Sequence, residues 1–244
     1  MKPIVPRWSA PSRVFAYGTT RDGGVSLPPY DALNLGAHVG DEPARVAANR
    51  ARLCQALALP TPPVWLDQVH GTRVLTLAAG NTDDDVRADA AYTRTPGQVC
   101  AVMTADCLPV LFTCDEGNEV AAAHAGWRGL CNGVLEQTLR CFNAAPGAVM
   151  AWLGPAIGPE SFEVGAEVRA QFMQHDRASA SAFRPTAGDK YLADIYALAR
   201  QRLQAAGVTR ISGGEFCTLS DASRFFSYRR AAQTGRMASL IWFS

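Results

Sequence analysis

A chain of 244 residues, 48% hydrophobic and 18% charged, is far from the composition of a disordered segment and long enough to bury a core without staples. Its 23 Lys and Arg balance 22 Asp and Glu, so no general positive field exists to hold a nucleic acid and any anion is bound locally. Residues 1–13, with Pro3, Pro6 and Pro11, do not read as a secretory signal, and the most apolar window, 99–114, is cut by Asp106 and Pro109; the expectation is a cytoplasmic protein with no membrane partner.

In chain order, residues 13–19 read as a strand, and 22–29 as a loop. Residues 43–57 read as a helix capped by Asp41, with Pro43 in its first turn and Val46, Leu53 and Leu57 on one face. Strands over 64–69 and 74–77 are joined by a hairpin-length turn at 71–73, and a second loop covers 81–85. Three strands follow at 99–104, 110–114 and 120–124. A helix over 129–142 places Leu130, Val134, Thr138 and Cys141 in helical spacing. A strand at 149–153 and a short helix at 166–173 precede a helix over 192–206 that stops at Gly207. The last strand is 237–243. No repeat or long linker divides the chain. The mixture of strands and helices, without strict βαβ alternation, predicts a single α+β domain: a layered α/β sandwich with mixed β-sheets.

The seven cysteines are odd in number and lie mostly in apolar segments, as buried thiols of a reducing compartment do. Cys107 stands apart. It shares with His70 and His124 a position where an apolar strand gives way to a polar or Gly-rich turn, in Trp65-Leu-Asp-Gln-Val-His70-Gly71, Met103-Thr-Ala-Asp106-Cys107-Leu108 and Ala121-Ala-Ala-His124-Ala-Gly126-Trp-Arg128-Gly129. Two imidazoles and one thiolate suit Zn²⁺, and three protein ligands leave a coordination position for chemistry. Taken singly, each of these residues is more often structural, and the long intervals between them form no zinc-finger motif.

Asp106 has two readings: a general base or an orienting group beside the ligand, and a turn cap. Arg128 follows His124 at the start of a helix, a place suited to an anion. Arg229 and Arg230, with Thr234-Gly-Arg236, form a cationic turn that is either an oxyanion site or a solvated loop; Arg50 carries the same two readings. His38 reads as structural and His175 as exposed.

These residues resemble the YfiH-type laccase-domain family over essentially the whole chain. The matching blocks are Asn34-Leu-Gly, His38-Val-Gly-Asp41 with Asn49-Arg50, Asp67-Gln-Val-His70-Gly, Thr104-Ala-Asp-Cys107-Leu-Pro-Val, His124-Ala-Gly-Trp-Arg-Gly129, Leu153-Gly-Pro-Ala-Ile-Gly-Pro159, Glu163-Val-Gly-Ala-Glu-Val168, Cys217-Thr and Phe226-Ser-Tyr-Arg-Arg230 with Thr234-Gly-Arg236. The resemblance implies that His70, Cys107 and His124 hold the metal. It implies phosphorolysis of adenosine, inosine, guanosine and methylthioadenosine, with adenosine deamination as a companion reaction. Nucleoside and phosphate are then the small-molecule partners. Asp106, Cys107 and Arg229 are the candidate catalytic residues; Arg50, Arg128 and Arg230 are the candidate phosphate or substrate ligands. Other readings are a copper polyphenol oxidase, for which the four histidines are few, and a metal-free cysteine hydrolase or peptidoglycan-precursor editing enzyme using Cys107 as nucleophile.

Overall fold

The structure, a computed structural model, describes residues 1–78 and 85–244. In chain order its elements are β1 (Val14–Gly18), α1 (Pro43–Ala56), β2 (Val74–Leu77), β3 (Ala90–Thr93), β4 (Cys100–Thr104), β5 (Leu108–Cys114), β6 (Val120–Ala125), α2 (Trp127–Asn132), α3 (Val134–Leu139), β7 (Val149–Leu153), β8 (Glu163–Gly165), α4 (Ala166–His175), β9 (Phe183–Pro185), β10 (Lys190–Ala193), α5 (Ile195–Ala205), β11 (Arg210–Gly213) and β12 (Met237–Phe243).

Alternation along the inner strands decides the layering, because successive side chains of a strand face opposite ways. In β4 and β12, Ala101, Met103, Leu240 and Trp242 face one core with Leu33, Leu35 and Leu53 of the α1 side. Cys100, Val102, Ile241 and Phe243 face a second core, where they meet Leu111, Ala122 and Trp152 of β5, β6 and β7. On the far side of those strands, Val110, Phe112, Ala121 and Ala123 pack on Leu130, Val134, Leu135, Leu198 and Leu203 of α2, α3 and α5. Strands buried on both faces read as near-continuous apolar runs, as 108–114 and 237–243 do apart from Thr113 and Ser239.

The result is a mixed α/β domain of helix, sheet, sheet and helices. The small sheet has the order β1-β12-β4, the large one β11-β7-β5-β6-β3-β2, and a third, β8-β10-β9, lies apart in the topology. Within the large sheet β2–β3 and β7–β11 are parallel and the other pairs antiparallel.

Several sequence expectations change. The run 64–69 is not a strand: among the described residues it has no ladder, and Gln68 instead uses its side-chain amide to pair with the N–H and C=O of Met103, each at 2.8 Å. That amide covers the free edge of β4. The turn at 71–73 therefore closes no hairpin, and β2 runs parallel to β3. Asp41 does not cap α1; its carboxylate accepts from Ser26 Oγ at 2.5 Å, Asn34 Nδ2 at 2.9 Å and Glu42 N–H, and Glu42 holds the cap position. The helix expected over 129–142 splits at Gly133, whose φ of 98° lies in the left-handed region. The helix expected from 192 begins at Ile195, because residues 190–193 pair with β8 and β9 and Asp194 caps the helix by accepting from Ala197 N–H at 2.9 Å. The loop expected at 81–85 lies, save for Asp85, outside the described residues. No helix among the described residues is long and apolar enough to cross a membrane.

Candidate metal centre

Three chain segments deliver one side chain each to a common point. His124 sits one residue from the end of β6 and is buried. Cys107 stands in the bend between β4 and β5, directly after Asp106, whose φ is 96°. His70 lies in the loop before β2 with a φ of 61° and an exposed ring. Asp and His are among the few non-glycine residues that adopt such backbone.

Cys107 Sγ lies 3.8 Å from His70 Nε2, and one ligand atom from each of the three residues lies within 4.8 Å of the others. The two imidazoles meet edge to face with centroids 4.9 Å apart. Gly126 completes the cradle: a Cβ there would stand 2.9 Å from His70 Cδ2 and 3.0 Å from Cys107 Sγ. Space for the three donors thus depends on the glycine of His-Ala-Gly-Trp.

Burial would push the Cys107 thiol up, but His124 and His70 outweigh it and hold the thiol below its ordinary range. For His124 burial opposes the charge, while Cys107 and Asp89 raise its basicity. Sulfur is therefore poised as a thiolate, the form that binds metal. His124 Nδ1 lies 2.8 Å from a carboxylate oxygen of Asp89. Since a carboxylate only accepts, Nδ1 carries the proton and Nε2 is left for the centre. A soft sulfur, two imidazoles and an anchoring carboxylate fit a metal ion.

The three residues open onto a cavity of about 450 Å³. Its walls include Trp127, Phe162, the exposed Tyr228, Arg128, Arg229 and Arg236. Arg128 lies over the Trp127 ring at 4.4 Å, and Arg229 over Phe162 at 5.7 Å while donating to the carbonyl of Glu163 at 3.0 Å. Arg236 is turned by hydrogen bonds to the carbonyls of Thr234 and Gly235.

Two arginines singled out from the sequence go elsewhere. Arg50 donates twice to the Leu35 carbonyl, at 3.0 and 2.8 Å, and lies over the Trp65 ring at 4.3 Å. Arg230 ties down its loop by donating to the carbonyls of Thr218, Leu219 and Phe225. Neither is among the residues that line the cavity, and each satisfies main-chain carbonyls, as Arg229 and Arg236 on the wall also do. Asp106 lines the cavity, yet both its oxygens are engaged, one with Thr218 Oγ1 at 2.6 Å and one with Arg229 N–H at 2.7 Å. His38, read as structural, lines the cavity with part of its surface exposed; partial desolvation and the charge of Arg236 lower its basicity. His175 is exposed, as expected.

Two residues of the site have little signature in the sequence: Asp89 has no motif of its own, and Arg236 belongs to the cationic turn without standing out from it. The only local sign of Asp89 is an acidic residue opening an apolar strand; for Arg236 it is a Thr-Gly-Arg turn directly before β12.

The model of a family described as multi-copper polyphenol oxidoreductase laccase matches residues 15–244. A protein of Escherichia coli K12 named purine nucleoside phosphorylase YfiH is 62% identical over 241 residues, covering 99% of this chain and 98% of that one. A Haemophilus influenzae purine nucleoside phosphorylase is 53% identical over 245 residues with complete coverage of both chains. Among solved structures, Neisseria meningitidis protein NMB0706 superposes over the whole of both chains with a TM-score of 0.96 at 47% identity.

Proposed function

The chain belongs to the YfiH-type laccase-domain family, and from that premise we propose that it is a zinc-dependent purine nucleoside phosphorylase of the cytoplasm. One observation carries the reading: the His70, Cys107 and His124 cluster and three arginines, Arg128, Arg229 and Arg236, line the same cavity. Its volume lies within the range of small-molecule sites, roughly 300–1,000 Å³.

In this reading Arg128, Arg229 and Arg236 hold the phosphate dianion by charge-assisted hydrogen bonds. They place one of its oxygens in line with C1′ of the nucleoside, an arrangement in which orientation lowers the barrier. That oxygen forms a bond to C1′ as the bond from C1′ to the purine nitrogen breaks; the purine takes the electron pair and then a proton. Trp127, Phe162 and Tyr228 offer flat faces for the base. His70, Cys107 and His124 would hold the zinc, which supplies Lewis acidity and lowers the pKa of a bound water to about 7. The substrates are adenosine, inosine, guanosine and methylthioadenosine. Adenosine deamination, in which water adds at C6 and ammonia leaves, uses the same cavity.

The family description favours a second reading, a copper oxidase. The chain has four histidines; two are in the centre, His38 is on the cavity wall and His175 is exposed at the end of α4. A multi-copper cluster built on imidazoles would be short of ligands.

The test joins metal analysis of protein purified without added metal to an assay for free base from adenosine and inosine, with and without phosphate. The expected result is about one zinc per chain and phosphate-dependent release, both lost in Cys107→Ala. Activity that persists in metal-stripped protein and disappears on thiol alkylation would make Cys107 a nucleophile and overturn the reading.

A further inference from the structure

Asp89 is fully buried, and its carboxylate receives four N–H donors. One oxygen accepts from His124 Nδ1 at 2.8 Å and from the backbone N–H of His70 at 2.9 Å. The other accepts from the N–H of Gly71 at 2.6 Å and of Val69 at 3.2 Å. The main chain repeats the link: the Asp89 carbonyl accepts from His124 N–H at 2.7 Å, and Asp89 N–H donates to the Arg73 carbonyl at 3.0 Å. The residue therefore joins the turn that carries His70 to the strand that carries His124. We propose that Asp89 is the positioning residue of the metal centre, one carboxylate that sets two of the three ligands before any metal arrives.

The inference rests on the metal-centre reading and concerns how the centre is assembled. Two actions follow from the contacts. Asp89 fixes His124 in the Nδ1–H tautomer, so that Nε2 is available as a ligand. It also gathers three successive amides, Val69, His70 and Gly71, which stabilises the left-handed backbone of His70. A ligating histidine commonly has one such carboxylate partner; here the same group grips a second ligand through its backbone.

All four donors are N–H groups, so an amide cannot replace the carboxylate. In Asp89→Asn the NH₂ would face either the Gly71 and Val69 amides or the His70 amide and the His124 ring, whichever way it is flipped. The fit is close, since a Cβ at position 71 would stand 3.3 Å from the Asp89 Oδ2.

The experiment compares metal-stripped wild type, Asp89→Asn and Glu119→Gln. Glu119 is a buried carboxylate that accepts from Tyr92 Oη and the amides of Asn143 and Ala144, groups outside the centre. Zinc affinity is measured by competition with a chromophoric chelator, and the cobalt-substituted proteins are compared by visible spectrum. Asp89→Asn is expected to bind zinc about 10- to 100-fold more weakly, the usual range for loss of an outer-shell partner, with a changed cobalt spectrum. Glu119→Gln is expected to lose thermal stability and keep both metal readouts. Equal affinity and spectrum in Asp89→Asn and wild type, or an equal fall in Glu119→Gln, would overturn the proposal.

Should Asp89→Asn fail to fold, long-range ¹H–¹⁵N spectra of the wild type decide. The His124 ring is expected to carry its Nδ1 proton both with and without zinc. An Nε2–H tautomer in the metal-free protein overturns the proposal. Wild type that binds no metal would count against the metal-centre reading, while the tautomer still reports on Asp89.

Discussion

Asp89 and Asp106 are both buried carboxylates beside the same centre, and they do different work because their donors differ. Asp89 receives only N–H groups, two of them from candidate metal ligands, His70 and His124. Asp106 receives one hydroxyl, from Thr218, and one amide, from Arg229. The first carboxylate builds the ligand set. The second ties the Cys107 bend to the loop that places Arg229 on the cavity wall. A buried acid is thus better understood from its partners than from its distance to the metal ligands, and the two can be separated by experiment.

The largest effect is expected where the metal half of this comparison is struck directly. In Gly126→Ala the new Cβ meets His70 Cδ2 at 2.9 Å and Cys107 Sγ at 3.0 Å, closer than carbon and sulfur settle, so a ligand must move. Misplacement on the scale of an ångström costs about 100-fold in rate. Phosphorolysis should fall by at least that much, with zinc content lowered in elemental analysis. Full zinc and full activity in this variant would mean that the three side chains do not share one ion.

The wall half is tested next, through phosphate. Removing a charge-assisted hydrogen bond is worth about 1.5–3 kcal/mol, so Arg236→Ala should raise the KM for phosphate roughly 10- to 100-fold with kcat less affected. Arg50→Ala and Arg230→Ala, which remove donors to main-chain carbonyls at residues outside the cavity wall, should lower stability by about 1–3 kcal/mol and leave phosphate dependence unchanged. Initial-rate kinetics against phosphate, with thermal melts beside them, would reverse this division if Arg50→Ala or Arg230→Ala were the variant with the raised KM.

What the sequence discloses and what it hides follow the same division. The apolar runs 108–114 and 237–243, broken only by Thr113 and Ser239, reveal strands buried on both faces, and with them the layered sandwich. His70, Cys107 and His124 are legible because each interrupts an apolar run at its end. The strands β8 to β11 are three or four residues long and only partly buried, too short for alternation to register. Gln68 passes for part of a strand because its amide does the pairing that a backbone would do. Asp89 is hidden for a deeper reason: its donors come from 69–71 and from 124, and nothing in residues 85–93 refers to either. Arg50 and Arg230 cannot be told from Arg229 and Arg236 in the sequence: all four bond main-chain carbonyls, and only the fold decides which of them line the cavity.

The smallest expected effect is the most discriminating. In Asp106→Asn the amide oxygen can still accept from Arg229 N–H, and its NH₂ can donate to Thr218 Oγ1, because a hydroxyl both donates and accepts. Asn also tolerates the positive φ of this position. The clamp therefore survives the substitution, whereas the four N–H donors around Asp89 admit no such exchange. Asp106→Asn should keep activity within about 10-fold of wild type, with its phosphate KM little changed. A general base lost from the reaction would cost roughly 10²- to 10⁴-fold. A fall of that size in kcat, in a variant with normal zinc content and an unchanged melt, would return Asp106 from the cavity wall to the chemistry. It would also show that a carboxylate with both oxygens engaged in the resting structure releases one of them when substrate is bound.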